Sequence, residues 1–355
     1  MPAIKLNERQ EKILRYIRKN KSANNRQLLE YISRSGEKIT RLTIVRDLDK
    51  LLQLKLVQKK GKGRNVSYEE KIENPALAYF DVERYFSRSP DERDMKFEKF
   101  NFGVFGYFEK NIFTGAETDK LEKLNREYQH RIKKLSPSAL KKEFERLTIE
   151  FSWKSSQIEG NTYSLIDTEI LIKEGKAARG HSKEETMMIL NHKKAIDYIF
   201  SKKGGFKSLS LRKIENVHSL LIKDLSAGTG IRKRLVGIAG TKYRPLDNPY
   251  QIREAIEKLC RIANSKKISP SKKALMAILL ISYIQPFEDG NKRTARLVGN
   301  ALLWANNFCP LSYRSIDEAE YKKAILLFYE QNSARYFKEL FTEQFRFAVK
   351  NYFLA

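Results

Sequence analysis

The stretch Ile284-Gln285-Pro286-Phe287-Glu288-Asp289-Gly290-Asn291-Lys292-Arg293-Thr294-Ala295-Arg296 decides how the rest of this 355-residue chain is read. An apolar, helix-compatible run from Ala274 to Tyr283 precedes it, and Leu297 to Trp304 follows as a second buried helix. Between them Pro286 and Gly290 break helical geometry and predict a tight loop. Such a loop ends where the next helix begins, so its amides point at one spot. The helix N-terminus adds partial positive charge there, and Lys292, Arg293 and Arg296 add full charges. The expected product is a phosphate cradle, with Asp289 placed to hold a divalent metal against the phosphates. The plain alternative is a helix-turn-helix corner carrying surface arginines.

The same stretch resembles the signature of the Fic (Fido) family, His-x-Phe-x-Asp/Glu-Gly-Asn-Gly-Arg-x-x-Arg. Phe287, Asp289, Gly290, Asn291, Arg293 and Arg296 match it. The resemblance implies an all-α Fic fold that binds ATP with Mg2+ and transfers AMP to a Ser, Thr or Tyr hydroxyl of a target protein. It assigns phosphate oxygens to Asn291 and the loop amides, the metal to Asp289, and the β- and γ-phosphates to Arg293 and Arg296. Two positions depart from the pattern. Gln285 stands where the family keeps its catalytic His, and a carboxamide takes no proton near neutral pH. Lys292 replaces the second glycine, which resembles the Doc-type toxins, relatives that transfer phosphate instead of AMP.

Upstream, Ser155-Ser156-Gln157-Ile158-Glu159-Gly160 resembles the family's inhibitory motif. There the glutamate, here Glu159, pairs with the second signature arginine and displaces the γ-phosphate. A carboxylate in an arginine-lined anion site mimics phosphate oxygens. Taken alone, Ser155 and Glu159 followed by Gly160 describe an ordinary helix C-terminus. Residues 230–245 read as a β-hairpin around Gly237, Ile238, Ala239, Gly240, Thr241 and Tyr243. They resemble the Fic flap, whose edge binds a target peptide by strand addition. A purely structural hairpin is the alternative.

The N-terminus has a different character. Residues 1–72 carry 19 Lys and Arg against 8 Asp and Glu, a surplus of 11 within a whole-chain net charge of +26. Asn7 and Gln10 form a candidate capping box for a helix to Asn20. A second helix spans about Arg26 to Ile32, a turn falls at Ser35-Gly36, and a third helix starts near Thr40 or Thr43. Two short strands around Gly61-Lys62-Gly63 complete a winged helix-turn-helix whose third helix resembles that of DeoR-like regulators. On that resemblance Arg41, Arg46, Lys50, Lys62 and Arg64 face duplex DNA. The alternative use of the wing is protein contact or dimerisation.

The expected architecture is therefore mainly α: a winged helix (α+β) over 1–72, a helical connector over 73–137, and a Fic domain over 138–355. Within it, Leu121, Leu124 and Tyr128 lie at helical spacing, His218 reads as a core residue, His192 as a helix-surface one, and Asp317 to Tyr352 as a single helix. Cys260 and Cys309 read as buried thiols, and the four histidines lack metal-ligand spacing. No apolar run approaches the ~18 residues of a membrane span, and the N-terminus lacks an apolar signal core, so a cytoplasmic protein is expected. Oligomeric state, including a homodimer, stays open. Two other functions compete with AMP transfer: a non-enzymatic DNA-binding regulator that senses nucleotide through the Fic fold, and Doc-type phosphoryl transfer.

Overall fold

The structure is a computed structural model that describes residues 6–34, 39–54, 56–71 and 74–354; the Arg64 side chain is outside that description, as is the expected Ser35-Gly36 turn. Helix α1 (Glu8–Asn20) opens with the reciprocal Asn7–Gln10 capping box expected from the sequence. β1 (Ser22–Ala23), α2 (Asn25–Arg34) and α3 (Arg41–Gln53) follow, then β2 (Val57–Lys60) and β3 (Ser67–Glu70). The strands form one antiparallel sheet in the order β1-β3-β2, with Val57 opposite Glu70 and Lys60 opposite Ser67. Ile13, Ile17, Leu28, Ile32, Ile44, Leu48, Leu51, Val57 and Tyr68 make a separate apolar core beneath this sheet.

Helices α4 (Val82–Phe86), α5 (Val104–Glu109) and α6 (Gly115–Ile132) occupy the segment expected to be a connector. They are not a tether. Val104, Phe105, Phe108, Leu121, Leu124 and Tyr128 belong to the same core as the signature helices, and Phe100 stacks on Tyr283 at 4.7 Å. The main body continues with α7 (Pro137–Gln157), α8 (Leu165–Glu174), α9 (Lys183–Ser201), α10 (Leu211–Leu221) and α11 (Pro249–Ala263). The central pair is α12 (Pro270–Ile284) and α13 (Asn291–Ala305). Every residue of α12 from Ser271 onward is buried, which is why its apolar residues run around all faces. The two helices touch closely at Gly299, where a Cβ would stand 2.6 Å from Ile278 Cγ1.

The long helix expected over Asp317 to Tyr352 is two helices, α14 (Glu318–Gln331) and α15 (Arg335–Asn351). Asn332 breaks it by adopting a left-handed conformation (φ 51), its side chain donating to the Phe328 carbonyl and accepting from Asn101. The hairpin expected over residues 230–245 is also absent. That segment contains no paired strand, only an isolated bridge between Lys99 and Arg244. Its backbone groups are claimed by side chains and neighbouring loops instead. Arg232 donates Nη1 to the Arg234 carbonyl and Nη2 to Leu246, while Arg93 reaches the Gly240 carbonyl. Among the described residues no helix is long and apolar enough to cross a membrane.

Candidate functional site

Helix α12 ends at Ile284, and Gln285 turns the chain by adopting φ 50, a left-handed cap. Phe287 is fully buried and stacks face to face on His218, ring centres 3.7 Å apart. Asn291 then closes the loop on itself: its Oδ1 accepts from Phe287 N at 2.9 Å and its Nδ2 donates to Phe287 O at 2.8 Å. Gly290 (φ +75) starts α13, and no side chain among the described residues caps its first turn. The amides there face outward with the positive end of the helix dipole behind them. Phe287 and Asn291, the latter assigned phosphate oxygens by the resemblance, build the loop. One is packed in the core and the other spends its whole carboxamide on the backbone.

The cations are arranged around an anion already present. Arg296 is completely buried; it donates Nε to Ser155 Oγ at 2.9 Å, Nη2 to the Ser155 carbonyl at 2.7 Å, and Nη1 to Glu159 Oε1 at 2.9 Å. Lys292 Nζ stands 3.7 Å from the other Glu159 oxygen. Ser155 lies in the last turn of α7, which ends at Gln157 with Ile158 as its cap; Gly160 (φ +100) then turns the chain, and Glu159 reaches Arg296 of α13. Burial pushes the Glu159 carboxyl upward, but Arg296, Lys292 and Arg293 outweigh it and hold the group below the usual carboxylate range. Glu159 is therefore an anion at neutral pH, seated where Arg296 and Lys292 converge. Arg293 is also buried. Its Nη2 donates to Asp289 Oδ2 at 2.7 Å, while its Nη1 is buried with no hydrogen-bond partner among the described residues.

Position 285 is turned inward. The Gln285 carboxamide nitrogen donates to the Ser282 carbonyl at 2.6 Å and to Tyr329 Oη at 3.2 Å. Both its donors are spent on the protein, and a carboxamide takes no proton near neutral pH.

Three residues that support this site were missed from sequence. Arg232 donates Nε to the Gln285 carbonyl at 2.7 Å and its own backbone N–H to the Pro286 carbonyl at 2.9 Å, joining the 230–245 segment to the signature loop. Tyr329 holds Gln285. His218, expected only as a core residue, donates Nε2–H to the Asp289 carbonyl at 3.0 Å. The lone signal was the position of His218 on the apolar side of its helix, which does not say what it packs against. His192, expected on a helix surface, is fully buried, with Nδ1 3.3 Å from Ser152 Oγ and its ring edge-on to Phe151.

Of the expected flap residues, Gly237, Ala239 and Gly240 are exposed, whereas Ile238 and Thr241 are half-buried. Tyr243 departs from the expectation: it is buried, stacked on Tyr283, and its hydroxyl donates to the Tyr283 carbonyl at 2.8 Å. It anchors the segment and offers no edge to a ligand. On the N-terminal unit Arg41, Arg46, Lys50 and Lys62 are all exposed. No cluster of three or more His, Cys, Asp or Glu that would hold a metal exists among the described residues, at Asp289 or elsewhere.

Burial holds the His218 imidazole down to about 4, helped by Arg293 and opposed by the hydrogen bond to the Asp289 carbonyl. The folded state thus binds fewer protons than the unfolded chain between that value and the ordinary 6.5. The stabilising contribution of neutral His218 is full above pH 6.5 and is lost as pH falls toward 4, on the order of 3 kcal/mol in all. Urea midpoints measured between pH 4 and 7 are expected to fall more steeply for the parent than for His218→Gln; parallel curves would disprove the assignment.

Residues 208–303 match the model of the Fic/DOC family, so the chain carries a Fic/DOC-family domain. Among curated proteins it is similar to a protein adenylyltransferase Fic of Aedes aegypti, 31% identical over 181 residues, which are 49% of this chain and 35% of that one. It is also similar to one of Nematostella vectensis, 28% identical over 198 residues, 51% of this chain and 43% of the relative. The chain thus spans less than half the length of either relative. Among solved structures, a Fic domain containing signaling protein from Bacteroides thetaiotaomicron aligns with TM-score 0.56 at 21% identity, covering 65% of this chain and 94% of that one. Fic-1 from C. elegans aligns with TM-score 0.56 at 20% identity, covering 66% and 69%. These structures establish the fold of the helical body as Fic-like.

Proposed function

We propose that this protein binds ATP at the loop 285–296, is built for transfer of AMP to a Ser, Thr or Tyr hydroxyl of a protein target, and is held closed by Glu159. The observation that carries the reading is the ion pair between buried Arg296 and half-buried Glu159 inside a family-type loop. A fixed carboxylate on that arginine occupies the place of a phosphate oxygen, so nucleotide entry requires Glu159 to leave. The vacated cations, Arg296, Lys292 and the Nη1 of Arg293, which has no hydrogen-bond partner among the described residues, then meet the triphosphate together with the amides of α13. Mg2+ fits only as a nucleotide-borne ion. Asp289 offers one exposed carboxylate, and phosphates and waters complete the shell of an ion that shields phosphate charge.

The target hydroxyl has no proton acceptor in this chain at position 285. A specific observation therefore favours a second reading, in which the Fic body senses nucleotide without turnover: the Gln285 donors are both committed inward. In either reading the N-terminal unit is proposed to be a winged helix that binds duplex DNA. Its support is the element order α1-β1-α2-α3-β2-β3 and the exposed cations of α3 and the β2–β3 turn.

Calorimetry with ATP and magnesium tests the site without requiring turnover. Glu159→Gly is expected to bind ATP more tightly than the parent. In that background Arg293→Ala is expected to lose about 1.5–3 kcal/mol, the range for a hydrogen bond to a charged group. Absence of ATP affinity in both the parent and Glu159→Gly removes the nucleotide reading.

A further inference from the structure

Glu159 projects from a turn, and something must hold that turn against the rest of the body. Beyond Gly160 the chain runs Asn161-Thr162-Tyr163 along the N-terminus of α9. Asn161 donates Nδ2 to the Glu185 carbonyl at 2.8 Å. Thr162 gives both its donors to one carboxylate oxygen: its backbone N–H reaches Glu185 Oε1 at 2.9 Å and its hydroxyl reaches the same atom at 2.6 Å. His181 Nδ1 sits 2.9 Å from that hydroxyl and 3.9 Å from Glu185 Oε1. The other Glu185 oxygen accepts from Ser182 N at 2.9 Å, completing the capping box of α9.

A single carboxylate therefore starts one helix and grips the turn three residues after Glu159. The Thr162 hydroxyl first, then the Ser182 and Thr162 amides, hold its carboxyl down to about 2, so the grip persists through the whole neutral range. Past this point the chain is anchored again, by Trp153 Nε1 donating to the Tyr163 carbonyl at 3.1 Å and by Tyr163 Oη lying 2.7 Å from Thr186 Oγ1. The stretch between Ser156 and Thr162 is thus short, and its far end is fixed by Glu185.

We propose that Glu185 and Thr162 are positioning residues for Glu159: their clasp fixes the 159–163 turn to α9 and sets how readily the Glu159 carboxylate leaves Arg296. The inference rests on the reading of Glu159 as the group that closes the nucleotide site. Loosening the clasp enlarges the range of positions open to Glu159, which lowers the occupancy of the closed state and raises apparent ATP affinity. Thr162 is exposed and water competes for its bonds, so the effect is moderate.

The test is a double-variant cycle read by ATP–magnesium affinity on the full chain. Thr162→Val removes the hydroxyl alone and is expected to tighten ATP binding about threefold; Glu185→Ala removes both bonds from Thr162 while keeping the Asn161 bond to the 185 carbonyl, and is expected to tighten it about tenfold. In a Glu159→Gly background both are expected to be silent, because there is no longer a carboxylate to position. Merely weakening α9 gives no such dependence on Glu159, and Thr162→Val leaves its capping box intact. Unchanged or weaker binding by both variants, or equal tightening with and without Glu159, overturns the clasp. If Glu159→Gly fails to tighten ATP binding, the closing role of Glu159 falls first and the clasp with it.

Discussion

Gln285→His combined with Glu159→Gly is expected to create AMP transfer at least about 10²-fold above the parent, the lower end of what a general base contributes. The backbone at 285 supports the substitution. A left-handed φ of 50 is uncommon for a side-chain-bearing residue, but histidine is among the types enriched there. Replacing the carboxamide also frees the Ser282 carbonyl and Tyr329 Oη, which have held position 285 inward. Gln285→His alone is expected to give little, because Glu159 still fills the cation cluster. Glu159→Gly alone is expected to give binding without transfer. The measurement is incorporation of label from ATP labelled at the α-phosphate, into the protein itself and into lysate proteins. A double variant that binds ATP yet transfers nothing sinks the missing-base explanation. Lys292 then becomes the obstacle, since its ammonium is free to draw the phosphates away from in-line attack once Glu159 is gone. Adding Lys292→Gly is expected to recover transfer in that case.

Much of this site was legible because its residues are close in sequence and of strong local character. Pro286 and Gly290 marked the loop, the apolar runs marked α12 and α13, and the resemblance of residues 155–160 to the inhibitory motif implied the Glu159–Arg296 contact found at 2.9 Å. What stayed hidden were choices made between distant residues. Alternation around Gly237 and Gly240 suggests strands, but no pattern reveals that Arg232 and Arg93 take the carbonyls a hairpin would need. Apolar periodicity placed His218 inside without saying that its proton meets the Asp289 carbonyl. It could not place His192, whose burial against Phe151 depends on how α7 crosses α9. Asn291 carried a phosphate role by resemblance, and the geometry gave it the nearer partner, the Phe287 backbone.

Duplex DNA binding by the full chain is expected to weaken about 10²-fold between 50 and 200 mM salt, if the four exposed cations Arg41, Arg46, Lys50 and Lys62 each neutralise one phosphate. Each displaced counterion contributes about −0.9 to the slope of log affinity against log salt, so four contacts give a slope near −3.6. The position of α3 favours this use. Its inner side carries Ile44, Leu48 and Leu51 into the core, and the buried Asp47 accepts from Arg9 and Gln10 of α1, which leaves Arg46 and Lys50 facing water. The remainder of the chain is basic as well, so affinity alone does not locate the interface. Arg46→Ala with Lys50→Ala does: the slope should fall by about two while ATP affinity stays unchanged. A parent that binds no duplex at 50 mM salt, or a double variant with an undiminished slope, assigns the N-terminal unit to protein contact. The first outcome would also leave the regulator reading without an effector.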